Sequence, residues 1–544
     1  MASQETRQPE TVAVVETSKD ISQQISNEKS VEASLETSKE THQVTIEAAD
    51  DAASISSSEG KPQPPWQWKL IAVILLTLIR FGGAWGSGII SPMKSTLKKK
   101  LKINNTMYSL LDASDSFIKT VLILLTGYVT DRYGGENILL YGNAVYSVGS
   151  VLMAGAAQMR NYKFFIVARI VMSLGDCSTQ IAQYQVFSAW FAPSNGFAST
   201  LGIELMFNKL GAFAGSGTSN VINSNIGFSW VYWIAFIVNV FTNFCCYAFY
   251  WFMRRSEGKY SDVRDPATGG RLKKRSRKLN FKKVLAMPWS FWVVMGYGMF
   301  TTITIIIFNS NATEFAEQRF KISAVKAGWY TTLARDAGFV LIPLLAFVID
   351  FFGQRIILMA ISSFGIFTAM VLVNYASTVT GTAAAFGIYA VATTFSPLSI
   401  IDSIRVTLTE QVDFGTAYAL KILVNNCLDV IVAIVAGVIQ DRDDNSYDNV
   451  VILYLALSSA SVVMCINMIA FGYFTVDIGM LQWTRKQRIA RGDKIVDRDR
   501  RTRAEDAPKN RRLSTVLFSC IMVLMVGAWV AYIWGAATGN NYDS

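Results

Sequence analysis

A chain of 544 residues, 51% hydrophobic and with a positive mean hydropathy, carries too many long apolar stretches for a soluble enzyme. It belongs in a bilayer, where only helices cross without stranding backbone polar groups. The net charge of +10 does not indicate nucleic acid, because the basic residues gather in two connecting segments, 253–283 and 484–512, rather than on a folded domain with interleaved aromatics.

In chain order, residues 1–65 are rich in Ser, Thr, Glu and Gln and are expected to form a disordered cytosolic tail. That tail opens with no signal peptide, so the first span has to serve as the insertion signal. Apolar runs predict spans at 69–93, 105–130, 137–157, 162–185, 197–222 and 229–252, an N-terminal six-helix bundle over 66–252. A basic cytosolic linker follows at 253–287. Spans at 288–309, 325–349, 356–375, 379–402, 412–440 and 449–475 then make a second bundle over 288–476. A basic cytosolic segment, 477–512, leads to a thirteenth span at 513–535, uncharged from Leu513 to Trp534, and a short non-cytosolic tail, 536–544. An interfacial helix is the other reading of 513–535.

With the N-terminus in the cytosol, both basic segments lie inside, where they also suit anionic lipids. The sequons at Asn104 and Asn311 then lie outside as expected glycosylation sites, although the lysine-rich stretch Lys94 to Lys102 runs against the positive-inside bias. All six cysteines fall within spans, with no disulfide or zinc spacing. The single histidine, His42, is in the tail. No nucleophile, metal or cofactor constellation emerges, so neither an enzyme nor a resident metal or cofactor is expected.

After the second span the chain reads Gly127-Tyr-Val-Thr-Asp131-Arg132-Tyr-Gly134-Gly135. After the eighth it reads Ala346-Phe-Val-Ile-Asp350-Phe-Phe-Gly353-Gln-Arg355. Such related turns at matching places signal two parallel six-helix repeats. Gly127 permits close helix approach, Asp131 caps or pairs with a neighbouring helix end, Gly134 allows the turn and Arg132 supplies an inner-face cation, so the cluster can latch helices that must part. The turn resembles the G-x-x-x-D-R-x-G-R-R signature of the major facilitator superfamily, with Gly135 and Glu136 in place of its closing basic pair. The resemblance covers about 66–476 and implies an all-α fold of two six-helix bundles around a central cavity that opens to each side in turn. The stretch Val167-Ala-Arg169 to Gly175 bears a faint likeness to the family's second motif. Span five, Gly202-Ile-Glu204-Leu-Met-Phe-Asn208-Lys209-Leu-Gly211, is similar to the lysosomal dipeptide-transporter branch, in which a cation stands at the place of Lys209. The acid expected in span four falls at Cys177, one residue from Asp176. Gly211, Gly215 and Gly217 without a proline depart from the drug-exporter pattern and suit close helix packing.

Charges at mid-bilayer are costly and mark function by default. By depth, Arg80, Asp176, Glu204, Lys209, Arg335, Asp336, Lys421 and Asn425 form the expected binding set. The cations would meet a carboxylate and the acids an amine or a proton. The alternative is that these charges pair with one another and hold helices in register. Asp115 and Lys119, four apart, together with Asp112 suit that structural reading. Asp402 and Arg405 suit a cap or gate. Gly127, Asp131, Arg132, Gly134, Asp350, Gly353 and Arg355 form the expected gating set. The function expected is an alternating-access carrier of a small zwitterionic or anionic solute, dipeptide- or amino-acid-like and proton-coupled, in a vacuolar, lysosomal or plasma membrane. A non-transporting receptor or scaffold, with an accessory membrane subunit as partner, and a metabolite or drug efflux carrier are the alternatives.

Overall fold

Each long apolar run becomes a helix whose ends are set by local chemistry. Our computed structural model describes residues 62, 64–191, 196–260, 284–376, 378–409, 414–504 and 506–538, apart from the side chains of 124, 127, 128, 131, 132, 257, 258 and 337. In the first half the long helices are α1 (Trp66–Ile90), α2 (Asn105–Tyr133), α3 (Gly135–Met159), α4 (Tyr162–Trp190), α5 (Phe197–Asn225) and α6 (Phe228–Lys259). In the second they are α7 (Trp289–Phe320), α8 (Ala324–Phe352), α9 (Arg355–Tyr375), α10 (Val379–Thr407), α11 (Phe414–Arg442) and α12 (Asp448–Phe474), followed by α13 (Ala507–Thr538). Asn104, Asn161 and Thr378 cap α2, α4 and α10 by accepting from the backbone N–H three residues on. Within α8 a 3-10 turn, Ala337–Val340, interrupts the helix just before Pro343, which lacks the N–H and crowds the preceding turn.

Among the described residues eleven of these helices are long and apolar enough to cross a membrane. The two that fall short of that apolarity, α2 and α5, are each 29 residues long. Their interiors carry Asp112, Asp115, Lys119, Glu204 and Lys209, so the polar content of the site itself lowers their hydropathy. Two predicted ends shift by more than six residues. α6 runs to Lys259, past the predicted end at 252, and α7 runs to Phe320 rather than 309. The tail through residue 61, the linker over 261–283 and the terminal 539–544 lie outside the described residues.

The packing repeats between halves: α3 lies on α4 as α9 lies on α10, and the halves meet through α2 against α11 and α5 against α8. α13 packs on α2 and α11, stacking Tyr532 on Phe117 at 4.4 Å and donating from Trp529 Nε1 to Thr120 Oγ1 at 3.0 Å. Glycines set the tightest approaches. A Cβ on Gly215 would stand 2.4 Å from the Trp85 carbonyl oxygen, and one on Gly88 2.5 Å from that of Ala212, so α1 and α5 touch backbone to backbone. Gly215→Val is therefore expected to lower stability by about 1–3 kcal/mol, the usual cost of overpacking, read as a lower thermal midpoint of the detergent-solubilised protein. An unchanged midpoint would show that α1 and α5 can separate freely.

Candidate functional site

Charges from three helices of the first half meet at mid-depth. Arg80 Nη1 of α1 lies 2.5 Å from Asp176 Oδ1 of α4, and Lys119 Nζ of α2 lies 2.8 Å from Asp176 Oδ2 and 2.9 Å from Asp115 Oδ2. Arg169 Nη2 adds looser contacts to Asp112 and Asp115 at 3.7 and 4.0 Å, and the Ser173 hydroxyl donates to Asp115. Three cations thus face three carboxylates. Each acid holds a cation, as buried charges must to offset lost hydration. The network is not sealed: Asp176 and Asp115 keep 18% and 24% of their side-chain surface accessible, so they line an interior space.

Toward the second half, Lys209 Nζ of α5 donates to the Arg335 carbonyl at 2.6 Å and stands 3.8 Å from Asp336 Oδ1 of α8. Asp336 is held by Arg335 Nε at 2.7 Å, while Arg335 Nη2 is buried without a hydrogen-bond partner. Asp176 therefore does not serve Lys209. Cys177, at the position where an acid was expected, is buried with its sulfur 3.5 Å from Thr126 Oγ1.

Close to the first group is a tyrosine pair, Tyr184 of α4 and Tyr418 of α11, with ring centroids 4.4 Å apart. The Tyr184 hydroxyl donates to Glu204 Oε2 at 3.2 Å, and Gln180 reaches the Tyr418 hydroxyl at 3.4 Å. Glu204 is 1% exposed and forms no ion pair among the described residues. Lys421 Nζ lies 5.8 Å from the Tyr418 ring and, among the described residues, has neither a hydrogen bond nor an ion pair. One acid and one cation without an ion-pair contact among the described residues therefore flank the same tyrosine pair. Asn425, one turn beyond Lys421, is buried. Tyr184, Tyr418 and Gln180 escaped the sequence reading because aromatic and amide side chains within an apolar run carry no depth signal of their own.

Carboxylates and cations fasten both faces of the bundle across the two halves. On the face where α1 begins, Asp350 at the end of α8 accepts from the Ser199 backbone N–H at 2.8 Å and from its hydroxyl, capping the start of α5. Arg405 donates to the Ser188 and Phe191 carbonyls at 3.0 Å each, at the end of α4, and lies over the Phe197 ring at 4.2 Å. Arg355 pairs with Asp402, which is 0% exposed. Gly353 (φ 71°) admits no side chain, since a Cβ would meet the Trp483 carbonyl oxygen at 2.1 Å, and Gly134 (φ 89°) makes the corresponding turn of the first half. The expected gating side chains Gly127, Asp131 and Arg132 lie outside the described residues.

On the opposite face, Asp441 at the end of α11 accepts from the Asn105 and Thr106 backbone N–H groups at 3.1 and 2.8 Å, capping α2 as Asp350 caps α5. Lys94, 1% exposed, meets Glu314 Oε2 at 2.8 Å, Asn311 Oδ1 at 2.8 Å, Tyr447 at 3.0 Å and Gln440 at 3.1 Å, and Lys98 meets Glu314 Oε1 at 2.7 Å. Burial draws the Lys94 ammonium below the usual lysine range, with Glu314 opposing. This geometry corrects the reading of Asn311 as a glycan acceptor. The longer α7 buries it mid-helix, its amide donating to the Ile307 carbonyl at 2.9 Å and its oxygen held by Lys94. A glycan has no room there. Asn104 remains half-buried as the α2 cap.

The comparisons agree with this architecture. The human organic anion transporter MFSD10 (TETRAN) has a similar structure, with a TM-score of 0.55 at 10% identity, covering 74% of this chain and 99% of that one. In sequence the chain is similar to the mouse lysosomal dipeptide transporter MFSD1, at 22% identity over 77% of this chain and 89% of the relative. A shorter stretch is similar to myo-inositol transporter 2 of Schizosaccharomyces pombe, at 28% identity over 20% of this chain and 19% of the relative. The family model of the Major Facilitator Superfamily matches residues 76–409, through α1 to α10 and both repeated turns, and the chain belongs to that superfamily of membrane transporters.

Proposed function

We propose that this transporter carries a small zwitterionic solute, of the dipeptide or amino-acid class, by alternating access. The observation that carries the proposal is the pair of charges without an ion-pair contact beside Tyr184 and Tyr418. A charge within the membrane and without an ion-pair contact is retained at a cost, and the half-buried Lys421 and the buried Glu204 offer one of each sign around a shared aromatic platform. A solute carboxylate would satisfy Lys421, and its ammonium Glu204. The Arg80–Asp176 and Lys209–Asp336 groups, already paired, then act as the walls that hold α1, α4, α5 and α8 in position. Glu204 is also the carboxyl we assign to proton coupling, because with no solute amine present a proton neutralises it. The similarity to a lysosomal dipeptide transporter supports the solute class and a vacuolar or lysosomal membrane, and the two basic segments support a cytosolic N-terminus.

Uptake of labelled dipeptides into proteoliposomes, free and with either terminus blocked, tests the reading. Free dipeptide is expected to be taken up about 30- to 100-fold better than its N-acetyl or C-amide forms, as leaving a buried charged partner unmet costs about 2–3 kcal/mol. Lys421→Gln should remove discrimination against the amide only, and Glu204→Gln discrimination against the acetylated form only. Equal transport of all three forms would overturn the assignment.

A further inference from the structure

The structure holds a cavity away from the charged centre. A crevice of about 500 Å³ opens between α8 and α10 near the face that carries Lys94, within the size range of small-molecule sites. Phe320 bridges its walls, with its ring 6.2 Å from Tyr330 and 6.1 Å from Phe386. On α10, Val379, Ala383 and Gly387 recur every fourth residue, so a single helix face of small side chains forms one wall. A Cβ on Gly387 would meet nothing within 4 Å. Leu333, Tyr330 and Val379 at the mouth are 49%, 52% and 58% exposed, so the crevice faces the surrounding membrane rather than the bundle interior.

The rim supplies the second chemistry. Lys321 and Lys326 are exposed and have no counter-ion among the described residues. Arg319 donates to the Ala376 carbonyl at the turn before α10, while its Nε is buried without a partner. An apolar slot whose lining residues Phe320 and Ile322 flank Lys321 in sequence, with Arg319 just before them and Lys326 one turn before Tyr330, matches a molecule with a hydrocarbon chain and an anionic head. We propose that this crevice binds one acyl chain of a membrane glycerophospholipid, with its phosphodiester at Arg319, Lys321 and Lys326. Ala334 in the lining directly precedes Arg335 and Asp336, so the bound chain supports the part of α8 that holds the Lys209 contact.

The test uses the full chain in phosphatidylcholine vesicles containing a phosphatidylglycerol whose acyl chain bears a diazirine. Photolabelling is expected on peptides spanning 320–334 and 379–390. Gly387→Phe should reduce it about tenfold, the equivalent of about 1.4 kcal/mol of lost chain burial. Ala383→Leu, at an exposed position of the same wall, should do likewise and decides the matter if Gly387→Phe does not fold. Lys321→Gln with Lys326→Gln should reduce labelling by the phosphatidylglycerol but not by a diacylglycerol probe lacking the phosphate. Label spread over all lipid-facing helices, label indifferent to the filling substitutions, or displacement by cholesterol alone would overturn the proposal. So would equal labelling by the diacylglycerol probe, because the cationic rim would then have no part in binding.

Discussion

Asp176→Ala is expected to lower stability by about 3–5 kcal/mol, the penalty for leaving buried charge without its partner. Among the described residues Asp176 is the ion-pair partner of Arg80, at 2.5 Å, while it shares Lys119 with Asp115. Its removal therefore strands a guanidinium of α1 and half-strands an ammonium of α2, both side chains about one-tenth exposed. Arg80→Met together with Asp176→Met should recover much of the loss, since an apolar pair replaces an ion pair without leaving either charge behind. The readout is the thermal midpoint and the yield of monodisperse protein in detergent, with solute uptake scored separately. If Asp176→Ala matches the parent in midpoint, the contact is not a structural tie and Asp176 returns to the candidates for solute binding.

Glu314→Ala is expected to open the face that carries Lys94. Glu314 is the carboxylate held by both Lys94 and Lys98, and it links the segment after α1 to α7. Without it two ammonium groups repel one another where Gln440, Asn311 and Tyr447 offer only neutral dipoles. A change of about 3 kcal/mol between the closed and open arrangements corresponds to a shift of about a hundredfold in their ratio. A cysteine placed at Ser310, which donates to Asp112 across the two halves, then becomes reactive to a membrane-impermeant maleimide added from that side. Glu314→Gln should give an intermediate effect, because it keeps one acceptor oxygen for the lysines but removes the charge. Reactivity unchanged in both variants would mean that Asp441, capping α2, closes this face unaided.

The two aspartate caps give alternating access a physical form. Asp350 at the end of α8 closes one face against the start of α5, and Asp441 at the end of α11 closes the other against the start of α2. These are equivalent helices in the two repeats, so each face is held by the same device in opposite orientation. With both engaged, the charged centre lies between two fastenings.

The apolar runs predicted thirteen spans, and among the described residues thirteen long helices, eleven of them apolar enough to cross a membrane, stand within a few residues of most of the predicted limits. Span length and depth follow from hydropathy alone, because a bilayer imposes the same test on every segment. The end of α7 was illegible for the same reason. The stretch Asn309 to Phe320 is polar enough to read as a loop, yet the lysines after α1 bury it as helix. The repeated turns gave the family, since Gly353 and Gly134 occupy backbone conformations that the local sequence demands.

Depth also put Arg80, Asp176, Lys209, Asp336 and Lys421 at one level of the membrane. It could not say which acid meets which cation, nor that Glu204 and Lys421 are left over, because pairing depends on helix rotation and on which helices adjoin. The offset between Asp176 and Cys177 shows the scale of the problem: one residue turns a side chain by about 100°, and the acid goes to Arg80 and Lys119 rather than Lys209. The sequence by itself determined the helices, their order and the level of the charges, since these follow from composition along the chain. Only the tertiary structure decided the partners, because partners come from different helices brought together by packing.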